Sequence, residues 1–197
     1  MSHYYTNDLD LPSKISSFEY FYEGERFVFY TDYGVFSKAQ VDYGTYLLIN
    51  EVRKHSLGSS VLDLGCGYGV IGIILSRLSP TLRRLVMVDV NKRALKLAKE
   101  NCRANKVEAD IIYSEDISTL EDKFSSVILN PPIRAGKQVV FALYDKAHEV
   151  LEKGGSLFVV IQKKHGASST EKELKNLFNE VRVLDKVNGH WLIEARK

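Results

Sequence analysis

Short apolar segments alternate with longer amphipathic segments from residue 60 onward. The apolar segments predict strands over 60–64, 84–90, 109–113, 125–129 and 155–161, and the amphipathic ones predict helices over 69–79, 91–104, 136–151 and 170–178. In the second of these helices Leu95, Ala98 and Cys102 share one face, and Asn91 is a suitable N-cap. Strands that alternate with helices build a parallel sheet covered by helices, so the pattern predicts an α/β fold.

Two other regions show strand-like patterns on either side of a tight turn. Residues 181–187 and 190–195 flank Asn188-Gly189, which suits a hairpin turn because both residues tolerate positive φ. We therefore expect the last strand to run antiparallel. Residues 18–22 and 26–31 flank Glu23-Gly24 and predict a second hairpin, which a helix over 42–54 follows. We interpret residues 1–40 as an N-terminal extension with a hairpin and residues 41–197 as one domain.

The composition narrows the class of protein. The chain has 197 residues, of which 45% are hydrophobic, and this is enough for one full core. The longest apolar run, Leu64–Leu75, contains four glycines and is far shorter than the roughly 20 residues that a membrane-spanning helix needs. The first residues lack a secretory pattern, and the two cysteines form no CxxC pair or zinc-type cluster. We expect a cytoplasmic protein without a metal or a membrane partner; the net charge of +2 is too small to indicate nucleic-acid binding alone.

A glycine-rich loop follows the strand over 60–64 and leads into a helix. Glycines at these positions allow a ligand to touch the backbone, and N–H groups at a helix start favour an anion. Gly67, Gly69 and Gly72 match the pattern GxGxxG, whereas Gly65, Gly67 and Gly69 match GxGxG. The anion is either the pyrophosphate of a dinucleotide or the methionine carboxylate of S-adenosylmethionine. The glycines alone leave both interpretations open.

Acidic residues lie in or directly after the predicted strands. Asp89 ends the second strand, where its carboxylate would accept both hydroxyls of a cofactor ribose, with Val90 beside it. Asp63 lies inside the first strand, where an unpaired carboxylate is costly, and a cofactor ammonium would satisfy it directly or through water. After the third strand, Asp116 is placed to accept from an adenine amino group and Ile117 to pack on the ring.

The fourth strand ends in Asn130-Pro131-Pro132, near the point where the strand order reverses and ligands bind. An amino group on a purine or an amide attacks poorly because its lone pair is delocalised. The Asn130 side-chain oxygen and the Pro131 carbonyl would accept its two hydrogens and aim the lone pair at an activated methyl group. The two prolines hold these acceptors stiffly. A dinucleotide enzyme has no use for this pair, so the motif, together with the glycine loop and Asp89, predicts methyl transfer to an exocyclic amino nitrogen.

Four segments carry a resemblance to a known family: Thr31–Lys38, Val41–Thr45, Val61–Gly69 and Asn130–Ile133. In these segments the chain resembles class I methyltransferases, and among them the guanine-N2 methyltransferases of small-subunit ribosomal RNA. The resemblance implies a Rossmann-like, doubly wound sheet of seven mostly parallel strands with an antiparallel C-terminal strand. It also implies S-adenosylmethionine as the cofactor, a cofactor contact from Thr45, and a guanine amino group as the acceptor. Ile133 stands where amino-methyltransferases more often carry an aromatic residue that stacks on the target base.

These observations define the candidate site. The candidate catalytic residues are Asn130, Pro131, Pro132 and Ile133, and the candidate cofactor-binding residues are Thr45, Asp63, Gly65, Cys66, Gly67, Gly69, Asp89, Val90, Asp116, Ile117 and Asn130. The candidate substrate-binding residues are Arg134 and Lys137 after the acceptor motif, and Lys163 and Lys164 after the fifth strand. Basic residues clustered at one rim favour a phosphate-bearing substrate, so ribosomal RNA or the small ribosomal subunit is the expected partner.

Several alternatives remain open at this stage. The acceptor pair suits adenine N6, cytosine N4 or the amide of a protein glutamine as well as it suits guanine N2. A nicotinamide-dependent oxidoreductase that uses Gly67, Gly69 and Gly72 belongs to a different class, and so does an RNA-binding protein without catalytic activity.

Overall fold

The structure is a computed structural model that describes residues 14–32, 40–114 and 120–197. The strands in these ranges are β1 (Ser16–Tyr22), β2 (Glu25–Thr31), β3 (Ser60–Leu64), β4 (Arg84–Asp89), β5 (Asp110–Tyr113), β6 (Phe124–Leu129), β7 (Leu151–Gln162), β8 (Glu180–Val187) and β9 (His190–Arg196). The helices are α1 (Tyr43–Val52), α2 (Val70–Leu78), α3 (Lys92–Ala104), α4 (Lys137–Val150) and α5 (Ala167–Leu177). None of these helices is both long and apolar enough to span a membrane.

A seven-stranded sheet forms the centre of the fold, in the order β5-β4-β3-β6-β7-β9-β8. Strand β9 runs antiparallel to both of its neighbours, and the other adjacent strands are parallel. Strands β1 and β2 pair with each other in a separate antiparallel hairpin. The predicted α/β architecture, the antiparallel C-terminal strand and the N-terminal hairpin are confirmed.

Strand β7 departs most from the sequence prediction, because it begins at Leu151 instead of residue 155. Its first residues include Gly154 and Gly155, which in sequence favour a turn. In the fold they belong to the strand, at a place where its pairing with β6 is irregular. A Cβ on Gly155 would lie 2.9 Å from the carbonyl oxygen of Ser125, so glycine is needed for the close approach of the two backbones.

Each face of the sheet carries its own apolar core. Helices α1, α2 and α3 cover one face together with the hairpin, whose Phe27 and Phe29 are fully buried in that core. Helices α4 and α5 cover the other face, where Tyr144 is the largest fully buried side chain. Burial on both faces explains why the central strands read as continuous apolar runs instead of alternating patterns.

Two buried asparagines, Asn101 in α3 and Asn105 at its C-cap, join the hairpin to the rest of the fold. The Asn101 side chain accepts from the Tyr30 N–H at 2.6 Å and donates to the carbonyls of Tyr30 and Tyr68. The Asn105 side chain makes the same reciprocal pair with the backbone of Val28. These amides replace the partner strand that β2 lacks on this side. The hairpin thus shares its core and hydrogen bonds with the sheet, while the division at residue 40 stays a prediction.

The order of the strands determines where a ligand can bind. From β3 the chain proceeds outward through β4 to β5, whereas β6 lies on the other side of β3 and leads to β7. The helices that follow β3 and β6 therefore leave in opposite directions, and a crevice opens at the carboxyl ends of these strands. The glycine loop and Asn130 follow these two strands, so both reach the crevice.

Candidate active site

A cavity of about 270 Å³ opens in this crevice. This volume is close to the lower end of the roughly 300–1,000 Å³ that ligand pockets occupy. Its lining residues come from the ends of β3, β4, β5 and β6, the glycine loop, and the first turns of α1, α2 and α4: Asp42, Thr45, Leu64, Gly65, Cys66, Gly67, Tyr68, Val70, Ile71, Val88, Asp89, Val90, Ser114, Asn130, Pro131, Pro132, Ala135, Val139 and Leu143.

The glycine loop presents its backbone to the cavity. Gly65, Gly67 and Gly69 all have positive φ, and the N–H groups of Gly65 and Cys66 donate to the Val88 carbonyl, which ties the loop to β4. A Cβ on Gly65 would meet no atom within 4 Å, so a side chain there would take up cavity space in place of a ligand. Gly72 has a different role, because a Cβ there would lie 2.9 Å from the Met87 sulfur. It allows α2 to pack closely on β4.

The Asp89 carboxylate is held rigidly at the cavity wall. Its Oδ2 accepts from the Gly67 N–H and its Oδ1 from the Asn91 N–H, both at 2.8 Å. The side chain is 6% exposed, and burial raises the pKa of Asp89, while these backbone N–H groups oppose the rise. A carboxylate has about four acceptor sites, so these backbone hydrogen bonds leave room for a hydroxyl donor from the cavity.

Asp63 lies behind the glycine loop and does not line the cavity. Its Oδ2 accepts from the Gly72 N–H at 2.9 Å, whereas Oδ1 is buried without a hydrogen-bond partner among the described residues. Burial raises the pKa of Asp63 to about 7; the Gly72 N–H opposes this rise, and the nearby Asp89 charge adds to it. An acceptor in this position is costly unless a cation or a donor reaches it, directly or through water.

The Asn130 amide is oriented by two side chains at the start of α1. Its Nδ2 donates to the Thr45 Oγ1 at 3.0 Å and to the Asp42 Oδ2 at 3.3 Å. The same Asp42 oxygen caps α1 by accepting from the Thr45 N–H at 3.0 Å. With both amide hydrogens directed at Asp42 and Thr45, the carbonyl oxygen of Asn130 is the group left for a ligand in the cavity.

The two prolines after Asn130 continue into a short 3₁₀ turn over Ile133–Ala135. The Pro131 carbonyl accepts from the Ile133 N–H at 2.9 Å, which leaves one of its two lone pairs. Ile133 packs against the core on the α4 side and does not line the cavity, whereas Ala135 and Val139 do. The apolar surface beside the acceptor pair therefore comes from the residues that follow Ile133.

The predicted basic residues surround the cavity without lining it. Lys163 and Lys164 are exposed directly after β7, and the Lys163 N–H donates to the Gly189 carbonyl at 2.7 Å. Lys137 is exposed at the start of α4 and its ammonium lies 4.8 Å from the ring centre of Phe141, and Arg134 is exposed as well. Asp116, Ile117 and most of the Thr31–Lys38 segment lie outside the described residues.

Sequence reasoning missed several residues of the cavity wall. Asp42 was recognised only as the start of a helix, and its link to Asn130 joins positions 88 residues apart. Ser114, at the end of β5, follows the general rule that ligands meet the carboxyl ends of strands. The remaining ones are mostly apolar, and the sequence analysis gave them no role: Leu64, Tyr68, Val70, Ile71, Val88, Ala135, Val139 and Leu143.

The wall opposite Asn130 fits S-adenosylmethionine. The molecule carries a carboxylate, an ammonium and two ribose hydroxyls. The chain offers the N–H groups at the start of α2, the Asp89 carboxylate and, behind the loop, the Asp63 oxygen that has no partner among the described residues. Apolar side chains on either side suit the adenine and the methionine chain. Among the described residues, no group of three or more metal-binding side chains is present.

Comparison with known proteins also indicates a methyltransferase. The profile of the family described as "Methyltransferase small domain" matches residues 26–194. The uncharacterized protein YbxB of Bacillus subtilis is 40% identical over 198 residues, which are 99% of this chain and 98% of that protein. The "Ribosomal RNA small subunit methyltransferase C" of Photorhabdus laumondii is 35% identical over 143 residues, which are 71% of this chain but 42% of that protein.

A solved structure shows the same relation. A T. thermophilus 16S rRNA N2 methyltransferase in complex with AdoMet and guanosine superposes with a TM-score of 0.83 at 27% identity. The superposition covers 95% of this chain and 52% of that one. The chain therefore spans about half the length of the ribosomal RNA methyltransferases that it matches.

Proposed function

The chain belongs to the methyltransferase small domain family and uses S-adenosylmethionine, and from this premise we propose that it methylates the N2 amino group of a guanine in small-subunit ribosomal RNA. One observation carries the choice of a nitrogen acceptor. The Asn130 amide nitrogen is engaged by Asp42 and Thr45, so its carbonyl oxygen is left for the hydrogens of an incoming amino group.

The Asn130 side-chain oxygen and the Pro131 carbonyl form what we call the acceptor wall, which acts on the amino group in two ways. The Asn130 oxygen and the second lone pair of the Pro131 carbonyl accept its two hydrogens, which makes the nitrogen more pyramidal and directs its lone pair. The same two oxygens stabilise the positive charge that develops on nitrogen during transfer. The proton leaves after the new carbon–nitrogen bond has formed, so no strong base is required.

The opposite wall, formed by the glycine loop and Asp89 and called the glycine-loop wall below, holds the methyl donor. When bound, S-adenosylmethionine supplies a methyl group on a positively charged sulfur, and the sulfur leaves as a neutral thioether when the acceptor nitrogen takes the methyl group. The N–H groups at the start of α2, directly after the glycine loop, would bind its carboxylate, and Asp89 would accept from its ribose hydroxyls. Asp63, behind the loop, would reach its ammonium through a water molecule.

Two observations support ribosomal RNA as the substrate. The relatives whose activity is given by their names act on this RNA, one of them at guanine N2. Exposed lysines at residues 163 and 164 lie at the same edge of the sheet as the cavity, where they would contact phosphates.

The test uses labelled S-adenosylmethionine and small ribosomal subunits from cells that lack this protein. Nucleoside mass spectrometry of the labelled RNA should show N2-methylguanosine at one position. N6-methyladenosine would reassign the base, and label in protein alone would reassign the acceptor to a glutamine amide. Either result would contradict the proposed substrate while leaving the cofactor assignment intact.

A further inference from the structure

Three aromatic side chains form a cluster at the start of α1, beside Asp42 and Thr45 of the cavity lining. The rings of Tyr43 and Tyr46 are stacked, with centroids 6.2 Å apart, and the His190 ring meets Tyr43 edge-on at 5.5 Å. The Tyr43 hydroxyl accepts from the Asn188 side chain at 2.6 Å. Tyr43 is thus held from two sides by the β8–β9 turn, and its orientation is fixed.

The aromatic cluster, Tyr43, Tyr46 and His190, is continuous with the catalytic wall. Asp42 and Thr45, which hold Asn130, alternate with the two tyrosines on the first turn of α1. Gly44 lies between them, and a Cβ there would lie 3.6 Å from the His190 ring and 3.1 Å from the Asp42 carboxylate. The cluster therefore lies directly beside the two residues that position Asn130.

The two tyrosines are not part of the core. Tyr43 is 43% exposed and Tyr46 is 40% exposed, whereas Tyr22 and Tyr144 are buried. Large aromatic surface beside a cavity is a feature of binding sites, because it is unfavourable in water unless a ligand covers it.

Cationic side chains lie next to the cluster. His190 pairs with Gln162 across β7 and β9, so Lys163 and Lys164 follow one residue beyond the cluster at the same edge. On the β8–β9 hairpin the Lys186 ammonium lies 3.8 Å from the Trp191 ring centre. Exposed rings beside flexible ammonium groups match a single-stranded nucleic acid, whose bases stack while its phosphates bind cations.

We propose that Tyr43 and Tyr46 form a stacking platform for the unpaired base adjacent to the methylated nucleotide of an RNA substrate. This inference rests on the proposed RNA substrate. A guanine whose amino group reaches Asn130 must leave its helix, and its neighbour then loses a stacking partner. The platform replaces that partner, and the lysines beyond it hold the phosphate that follows.

The experiment compares Tyr46→Leu with Tyr46→Phe, which keeps the ring, and with Phe21→Leu, which removes an aromatic side chain that is 66% exposed on the hairpin. The probe is an RNA oligonucleotide that spans the methylated position, either intact or with an abasic residue at one flanking position. Fluorescence anisotropy gives its Kd, and steady-state methylation gives KM and kcat. Tyr46→Leu should raise Kd and KM about tenfold with little change in kcat, since one base–aromatic stack is lost.

Tyr46→Phe and Phe21→Leu should behave like the wild type. At one of the flanking positions, an abasic residue should weaken binding to the wild type as much as Tyr46→Leu does. The same abasic residue should cause no further loss in Tyr46→Leu. We expect the same pattern for Tyr43→Leu. Equal losses from the abasic residue in wild type and variants would overturn the platform, although RNA methylation would stand. If the wild type methylates no RNA, the proposed function itself is refuted. If Tyr46→Leu instead raises KM for a protein substrate, the surface binds a protein partner and the platform is overturned.

Discussion

The two walls of the cavity are built on different principles. The glycine-loop wall consists of the loop backbone and the Asp89 carboxylate, with Asp63 behind it, and its hydrogen bonds mostly join the loop to the end of β4. The acceptor wall consists of the Asn130 amide, which is positioned by side chains of Asp42 and Thr45 on a helix outside the sheet. The geometry of the glycine-loop wall depends mainly on backbone conformation, whereas that of the acceptor wall depends on hydrogen bonds among three side chains.

This difference separates the two halves of the reaction. Backbone N–H groups stay in place when side chains change, so the loop wall should respond mainly to the charge state of its carboxylates. The acceptor wall has no such redundancy, because one lost hydroxyl or amide changes the direction of the remaining groups. We therefore expect loop-wall substitutions to alter stability and cofactor affinity, and acceptor-wall substitutions to alter turnover.

The largest effect should come from Asp63→Asn on the loop wall. Burial raises the pKa of Asp63 to about 7, and in the unfolded chain it is near 3.9. Between these values the native state holds a proton that the unfolded chain has lost, so this stabilisation is complete below about pH 4 and is lost as pH rises through 7. Asparagine cannot ionise and still accepts from the Gly72 N–H, so the variant should avoid the whole loss, about 4 kcal/mol at 1.36 kcal/mol per pKa unit.

Urea unfolding of the cofactor-free protein at several pH values measures this effect. The free energy of unfolding of Asp63→Asn should exceed that of the wild type at pH 8, and the difference should shrink toward pH 5. Asp145→Asn, which changes an exposed carboxylate of α4, serves as the matched control and should leave the pH profile unchanged. Parallel profiles for Asp63→Asn and wild type would show that the buried carboxylate finds a partner in solution.

The acceptor wall should be most sensitive at Asn130. Asn130→Ala removes the oxygen that binds the amino hydrogens, and kcat should fall by a factor on the order of 100, about 2.7 kcal/mol of transition-state stabilisation. Affinity for S-adenosylmethionine, measured by titration calorimetry, should change little because the loop wall is intact. Asn176→Ala, at an exposed site on α5, is the control for a generic loss of an asparagine. Unchanged turnover of Asn130→Ala would remove this residue from the mechanism.

The loop wall could be predicted from the sequence because its signals are local. A strand, a run of glycines and a carboxylate after the next strand occupy one short stretch of chain, and their geometry follows from the α/β topology. Gly65, Gly67 and Asp89 accordingly line the cavity. The same reasoning predicted an unsatisfied Asp63 carboxylate, although not that it lies behind the cavity wall.

The acceptor wall could be predicted only in part. Asn130 was found through its motif, but its hydrogen bonds to Asp42 and Thr45 join positions 85 and 88 residues apart, and no spacing rule links them. The apolar wall residues Val139 and Leu143 carry no signal either, since many apolar residues on that face of α4 would serve equally well. What was missed depends on how separate elements pack.

Thr45→Val tests that missed contact with a smaller effect. Valine keeps the branched shape of threonine but cannot accept a hydrogen bond from the Asn130 amide. Among the described contacts, Asp42 is then the only side chain that accepts from this amide. The Asn130 oxygen should then sample other orientations, and kcat should fall about tenfold, roughly half the free-energy effect of removing Asn130. Thr45→Ser restores the hydroxyl and should restore kcat. The resemblance also implies a cofactor contact for Thr45, and a raised Kd for S-adenosylmethionine with normal kcat at saturation would favour that role over positioning of Asn130.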